Sequence, residues 1–130
     1  MKFGLNGGVV WAKNFGGSDS DKFISVASDG DGFIAAGWSK AGSFGNGDWD
    51  GLTGKGANDG VLVKFDKNGG LIWKTNFGGG NGDFFHAVIS VSGGYVAIGN
   101  SKSGSSGSGD WIGATAKGSQ DGIIVKFDSK

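Results

Sequence analysis

The stretch GDWDGLTGKGANDGVLVKFD, residues 47–66, returns as GDWIGATAKGSQDGIIVKFD, residues 109–128, without an insertion or a deletion. Pairing each residue with the one 62 positions later extends the match to residues 1–68 against 63–130, and roughly half of the paired positions are identical. We call two such residues repeat counterparts. A fixed period of this length indicates a repeat architecture. We therefore predict two repeat units, residues 1–68 and residues 69–130, with the start of a closing strand at residues 1–8.

Each unit contains four short runs that are typical of β-strands, because they are rich in β-branched and aromatic residues and are bounded by glycine or aspartate. The runs are GVVWAKNF, FISVAS, GFIAAGWS and DGVLVKFD in the first unit, and GLIWKTNF, FHAVIS, GYVAIGNS and DGIIVKFD in the second. The segments DGDG and VSGG between the second and third runs favour tight hairpins with positive φ. No helical period of similar length competes, so we predict an all-β protein.

The composition fits a single globular domain and excludes several classes of function. Hydrophobic residues make up 37% of the 130 residues, which is enough for a core. Twelve lysines balance twelve aspartates without a basic block, so we expect no nucleic-acid partner. We expect no membrane segment, because no apolar run approaches the length of a span. The absence of cysteine excludes disulfides and thiolate zinc sites, and we expect no cofactor.

Four antiparallel strands repeated in tandem are the composition of a β-propeller blade. Two blades alone leave both outer apolar faces uncovered, so a two-blade monomer should not be stable. Residues 2–8, KFGLNGG, match residues 64–70, KFDKNGG, so the chain starts and ends in the same strand of the repeat. We therefore predict a β-propeller with two four-stranded blades per chain and a ring closed by homo-oligomerisation. A trimer would have six blades and a tetramer eight.

Three pairs of motifs recur over nearly the whole chain: WAKNFGGSDSDKF and WKTNFGGGNGDFF, GDGFIAAGWS and SGGYVAIGNS, and NDGVLVKFDKNGG and QDGIIVKFDSK. Together they resemble the tandem β-propeller-like repeats of bacterial secreted and surface proteins. The resemblance implies a propeller fold and an extracellular or cell-surface location, although the start MKFGLNGG has no apolar signal-peptide core. In plan, the chain also resembles small two-blade lectins that form a propeller by oligomerising. That analogy concerns the fold and does not establish sugar binding.

A long loop between the third and fourth strands of each unit carries the candidate ligand-binding residues, since loops of this length are functional or serve as spacers. In one interpretation, Trp49 and Trp111 stack on a sugar ring while neighbouring polar groups hold its hydroxyls. The polar candidates are Asp48, Asp110, Lys55 and Lys117. In the alternative interpretation, each tryptophan folds back as a plug over its own blade or seals the junction with the next blade.

The residue types give little support for a metal site or for catalysis. Asp48 and Asp50 form an acidic pair of the kind that calcium binds, but Ile112 is the counterpart of Asp50 and the chain has no glutamate. We therefore expect no metal. The single histidine, His86, has Ile24 as its counterpart, and no nucleophile or triad can be assembled around it. We predict a protein that is not an enzyme.

The remaining charged residues of the strands and turns are given structural roles. We expect four repeated aspartates to accept backbone N–H bonds and fix turns. They are Asp21, Asp83, Asp59 and Asp121. Lys64 and Lys126 alternate with apolar residues in the last strand, so we expect both to face solvent or a rim.

These observations predict a non-enzymatic, self-assembling β-propeller binding module. It would be lectin-like, with a glycan or another surface ligand bound through the tryptophan-bearing loops. The alternative is a purely structural repeat, or an engineered or fragment model of propeller assembly, with no ligand.

Overall fold

A computed structural model describes residues 1–129. The described part is all-β, as the sequence predicts, and its helices are 3₁₀ segments of three residues each. The strands are β1 (Lys2–Phe3), β2 (Val9–Trp11), β3 (Asp21–Ser28), β4 (Gly32–Lys40), β5 (Asn58–Asp66), β6 (Leu71–Phe77), β7 (Asp83–Val91), β8 (Gly94–Lys102) and β9 (Gln120–Asp128). The 3₁₀ segments are Ala41–Ser43, Gly47–Trp49, Ser103–Ser105 and Gly109–Trp111. Within residues 1–129, no helix is long and apolar enough to cross a membrane.

The strands form three antiparallel sheets. The N-terminal hairpin is β1-β2, the first sheet has the order β3-β4-β5-β6, and the second sheet has the order β7-β8-β9. Strand β6 belongs to the second sequence unit but pairs with β5 of the first. The sheets are therefore offset by one strand from the units 1–68 and 69–130.

A tight turn between β5 and β6 explains this offset, because strands joined by a short turn pair with each other. Asp66 and Gly70 close the turn, with the Asp66 N–H donating to the Gly70 carbonyl at 2.8 Å. The Asp66 carboxylate accepts the N–H groups of Asn68 and Gly70 at 2.7 and 2.8 Å. Gly69 supplies the positive φ of 80° that the turn needs.

The hairpins β3-β4 and β7-β8 form where the sequence predicts them. Gly30 and Gly93 have φ values of 88° and 77°, in the region that glycine enters without strain. In the first hairpin, the Asp29 carboxylate also accepts the N–H groups of Asp31 and Gly32, each at 3.0 Å. The turn residues therefore fix the register of both strand pairs.

The main core lies between the first and second sheets. Ile34 and Leu62 of the first sheet form one buried cluster with Phe85, Val88 and Tyr95 of the second. Alternation along each strand sends the neighbouring residues to the opposite face. That outer face is apolar and partly exposed in both sheets. Its exposed residues include Phe23 and Val26 on the first sheet and Ile98 and Ile124 on the second.

Candidate functional site

The tryptophan-bearing loops are held by backbone hydrogen bonds to the paired glycines that precede β3 and β7. The Asp48 N–H donates to the Gly16 carbonyl at 2.9 Å, and the Asp110 N–H donates to the Gly78 carbonyl at 2.8 Å. Gly47, before Asp48, has a φ of 55°, and a Cβ there would lie 2.6 Å from the Gly16 oxygen. Glycine at this position therefore permits the close approach of the two backbones.

Both tryptophan rings turn inward. Trp49 is 1% exposed and lies edge-on to Phe15, with ring centroids 4.8 Å apart. Trp111 is half-buried and lies edge-on to Phe77 at 5.0 Å. Trp49 therefore has no free ring face on which a sugar could stack. The arrangement fits the alternative interpretation, in which each tryptophan is a plug over its own blade or seals a junction: Trp49 closes over its own sheet, and Trp111 packs against the core between the two sheets.

An aspartate at the start of β3 or β7 anchors each plug. Asp21 accepts the Trp49 Nε1–H at 2.7 Å, together with the Gly17 N–H and the Ser43 hydroxyl, both at 2.9 Å. The counterpart Asp83 is fully buried. It accepts the Nε1–H of Trp111 at 2.9 Å, the Gly79 N–H at 2.9 Å, and the hydroxyls of Ser101 and Ser105 at 2.5 and 2.7 Å. The predicted structural role of Asp21 and Asp83 is confirmed.

Two of the polar candidates form an ion pair between consecutive loops. The Lys55 amine lies 2.6 Å from the Asp110 carboxylate and also donates to the Asn76 carbonyl at 2.9 Å. The same Asp110 oxygen accepts the Gly78 N–H at 2.9 Å. The pair is about one-third exposed, so it joins the two sheets with little contribution to stability.

The other two polar candidates lie apart from that pair. The Asp48 carboxylate accepts the Gly16 N–H at 2.9 Å, as its counterpart Asp110 does with Gly78. Lys117 is exposed, and within residues 1–129 its amine makes no ion pair or hydrogen bond. The six candidate residues therefore do not converge on one pocket. The structure brings Lys55 into contact with Asp110 and places Trp111 and Lys117 on one cleft.

Asp59 at the junction between the sheets is fully buried, as Asp83 is. It accepts the N–H groups of Lys55 and Gly56 at 2.8 and 3.2 Å and the Asn76 side-chain amide at 2.7 Å. Burial raises the pKa of Asp59 despite these bonds. Its counterpart Asp121 accepts the Lys117 N–H at 2.9 Å. Both aspartates fix turns, as predicted.

One charged cluster between the sheets was missed by the sequence reasoning. Lys64 is 4% exposed, which makes the prediction of a solvent-facing position wrong for this residue, whereas Lys126 is exposed. The Lys64 amine lies 5.7 Å from the ring centroid of Tyr95 on β8 and donates to the Asp29 carboxylate. The Tyr95 hydroxyl donates to the same oxygen. The repeat conceals this cluster, because Val91 is the counterpart of Asp29 and Phe33 that of Tyr95.

These contacts shift the ionisation of all three groups. The hydrogen bonds from Lys64 and then from Tyr95 hold the pKa of Asp29 well below its ordinary value of 3.8. Burial acts to lower the pKa of Lys64, but the bonds to Asp29 and Tyr95 raise it overall. Burial raises the pKa of Tyr95, with the bond to Asp29 acting in the same direction. The cluster therefore favours charged Asp29 and charged Lys64.

His86 lies outside these clusters. It is exposed, its Nε2 lies 2.6 Å from the Asn100 side-chain oxygen, and its ring stacks on Phe84 with centroids 6.5 Å apart. No group of three or more acidic or histidine side chains within residues 1–129 could hold a metal ion.

A cleft of about 290 Å³ borders Trp111 and the free edge of β9. Thr115, Lys117, Asp121 and Ile124 are among its lining residues. Trp111 is half-buried on this side, whereas the whole of Trp49 is covered. The surroundings of the two tryptophans therefore differ at this cleft.

No protein-family model matches the chain, and no curated protein sequence matches it as a relative.

Proposed function

We propose that the protein is a non-enzymatic, self-assembling β-propeller module. Each chain supplies two blades, and three or four copies close a ring of six or eight blades. On this proposal the first sheet is one blade, and the second sheet is a blade that still lacks its outer strand. The resemblance to repeats of bacterial secreted and surface proteins supports an extracellular or cell-surface location as part of the same proposal.

A contrast between repeat counterparts carries the proposal. Leu62 on β5 is 0% exposed because the second sheet covers it, whereas its counterpart Ile124 on β9 is 74% exposed. Burying a side chain of this size is worth about 1.5–3 kcal/mol. The outer face of the first sheet shows the same contrast. Phe23 and Val26 are exposed there, although their counterparts Phe85 and Val88 are buried between the sheets. Contact between the two ends would therefore bury complementary apolar faces.

The tryptophan-bearing loops contribute to this function as structural parts. Trp49 fills the end of its sheet, and Lys55 is paired with Asp110. Glycan binding through Trp49 and Trp111 stays a prediction from the sequence. A glycan array probed with the protein and with the Trp49→Ala, Trp111→Ala double variant addresses it. Binding that the double variant loses would support a lectin-like role, whereas loss of assembly without any ligand would support a purely structural one.

The absolute mass in solution tests the proposal. Light scattering behind a sizing column is expected to give three or four times the chain mass of 13.1 kDa, with one species over a range of loading concentrations. A folded monomer at all concentrations would contradict a ring closed by copies of the chain.

A further inference from the structure

The outer edge of β9 lacks the strand that its counterpart β5 has. In the first sheet, β6 completes the blade by pairing with β5 in the register Gly60↔Phe77, Leu62↔Thr75 and Lys64↔Trp73. In the second sheet, β8 is the one strand within residues 1–129 that pairs with β9. A free edge with unpaired backbone groups is a template for another strand.

The chain contains a second copy of the missing strand. Residues 9–15, VVWAKNF, are the repeat counterparts of residues 71–77, LIWKTNF. Their strand part, β2, belongs to neither of the larger sheets, and in the described part of the chain it pairs only with the two residues of β1. Asn14 is exposed, whereas its counterpart Asn76 is 8% exposed. This segment therefore has the sequence of an outer strand without a blade to complete.

The polar groups that receive β6 are repeated along the edge of β9. Asn76 donates its side-chain amide to the Thr53 carbonyl at 2.8 Å and to the Asp59 carboxylate at 2.7 Å. The counterparts of these two acceptors are Thr115 and Asp121, and both line the cleft beside Trp111. Among residues 1–129, no amide side chain occupies the corresponding place beside Asp121.

The ion pair and the close packing found between the two sheets also have unpaired and unfilled counterparts at the ends of the protomer. The counterparts of the Lys55–Asp110 ion pair are Lys117 and Asp48, which lie at opposite ends of the protomer's stack of sheets and do not pair with each other. A Cβ on Gly60 would lie 2.8 Å from the Phe85 ring, whereas a Cβ on its counterpart Gly122 meets nothing within 4 Å. The space that Phe85 fills beside Gly60 of β5 is therefore empty beside Gly122 of β9. The repeat counterpart of Phe85 is Phe23, so Phe23 of another copy has the side chain that would fill it.

We infer that β9 of one copy receives β2 of the next copy as its fourth strand. The register is Gly122↔Phe15, Ile124↔Lys13 and Lys126↔Trp11, which repeats the pairing of β5 with β6. Lys117 then pairs with Asp48 of the next copy, and Asp121 accepts the Asn14 side-chain amide of the next copy. The inference rests on the proposed function and adds the strand, the register and the bonds that join the copies.

Strand β1 occupies part of the same site. Lys2 and Phe3 pair with Trp11 and Val9, as their counterparts Lys64 and Phe65 pair with Trp73 and Leu71. Lys126 and Phe127 of the preceding copy require these positions on β2. Closure of the joint therefore displaces β1, which serves as a short internal competitor.

Cysteine cross-linking tests the register, because the chain has no cysteine of its own. In the Lys13→Cys, Ile124→Cys variant, the two thiols face each other across the joint, within the Cα separation that a disulfide spans. Oxidation is expected to link copies covalently up to the full trimer or tetramer on a non-reducing gel. The matched control is Lys13→Cys with Gln120→Cys, which moves one thiol four residues along β9, or about 13 Å. The control is expected to remain uncrosslinked.

A further substitution fills the empty space beside Gly122, where a Cβ has no neighbour within 4 Å in the described part of the protomer. Gly122→Leu is expected to reduce the mass in solution to that of a single chain while the far-ultraviolet circular dichroism stays unchanged. Deletion of residues 2–6 is expected to keep the assembled mass and to speed cross-linking of the Lys13→Cys, Ile124→Cys pair. Loss of assembly on this deletion would contradict the displacement of β1.

The outcomes separate this inference from the proposed function. A monomeric wild-type protein contradicts both. A wild-type oligomer that keeps its mass with Gly122→Leu, and that gives no covalent species with Lys13→Cys, Ile124→Cys, overturns the strand exchange and leaves the ring standing.

Discussion

Strands β5 and β9 are built from nearly the same residues and have very different surroundings. NDGVLVKFD forms β5 and QDGIIVKFD forms β9. β5 lies between two strands of its sheet, with the second sheet over one face and Trp49, Phe15 and Phe44 over the other, so seven of its nine residues are buried. In β9, one of nine is buried. The comparison shows that the repeat specifies the register of this strand with the preceding strand, whereas the elements around it decide whether it is protected from water.

The largest expected difference comes from removing the apolar side chain at the same place in both strands. Leu62→Ala should lower the free energy of unfolding by about 2–5 kcal/mol, because it leaves a cavity in the closed core between the sheets. Ile124→Ala should change the stability of the free protomer by no more than about 0.5 kcal/mol, because the side chain lies in water. Urea unfolding of dilute protein measures both.

The same pair of variants also sharpens the comparison for the assembled protein. Ile124→Ala should reduce the assembled fraction seen by light scattering at a concentration where the wild-type protein is fully assembled. Equal losses of protomer stability in the two variants would contradict the unequal burial of β5 and β9.

The buried lysine of β5 provides the second largest effect. Asp29→Asn should cost about 1.5–3 kcal/mol at pH 7, since it removes a charged hydrogen-bond partner of Lys64. Because the pKa of Asp29 is lowered on folding, the stability it contributes is present above its ordinary value of 3.8 and is lost as the pH falls below that value. Wild-type protein should therefore lose more stability than Asp29→Asn between pH 7 and pH 3 in urea unfolding.

The exposed neighbour Asp31 supplies the matched control for this pH dependence. Asp31→Asn should show the wild-type loss of stability on acidification. If Asp29→Asn and the wild-type protein lost the same amount of stability on acidification, the ion pair with Lys64 would not be the cause.

Buried Asp59 has the opposite effect on the pH dependence of stability. Its pKa is raised on folding, so its contribution to the free energy of unfolding falls as the pH rises.

A smaller effect is expected from the two tryptophan plugs. Trp49→Phe should cost about 1 kcal/mol, because it removes the hydrogen bond to Asp21 from a closed site. Trp111→Phe removes the equivalent bond to Asp83, but water can enter the cleft beside the ring, so its cost in the dilute protomer should be lower. Thermal unfolding of both variants measures the difference, and a greater cost at Trp111 would count against the plug arrangement.

The smallest effect belongs to the lysines of the two loops. Lys55→Met should cost about 0.2–1 kcal/mol, since its pair with Asp110 is partly exposed. The cost should shrink in high salt, which screens such pairs. Lys117→Met should leave the protomer unchanged and weaken assembly, which would show as a higher dissociation constant in dilution experiments. If the stability cost of Lys55→Met did not change with salt concentration, the ion pair would not be its cause.

The local features of the fold could be predicted because they depend on neighbours in sequence. Gly30 and Gly93 mark the hairpins, and Asp21 and Asp83 stand where a carboxylate can collect the N–H groups of the preceding turn. The strand runs follow from β-branched and aromatic residues between glycines. None of these inferences depends on which part of the protein packs against the strand.

The candidate site was harder to predict, because its residues depend on partners distant in sequence. GDW is the same tripeptide in both loops, and nothing in it indicates that Trp49 would be covered and Trp111 left beside a cleft. Lys64 sits in an alternating strand, which favours an exposed position, but it is covered by Tyr95 and Asp29, two residues that are not kept in the other repeat. Lys55 and Asp110 meet only because two consecutive loops stack.

The sequence by itself determined the period of 62 residues, the order of the strands, the turns between them and the two faces of each strand, since these follow from residue type and spacing. Only the tertiary structure decided that β6 completes the sheet of the preceding unit, that the first sheet is covered on one side, and that β9 keeps an open edge. The physical reason is that a side chain is buried only when another surface packs against its own. Identical apolar residues are protected or exposed according to whether a second sheet lies against them.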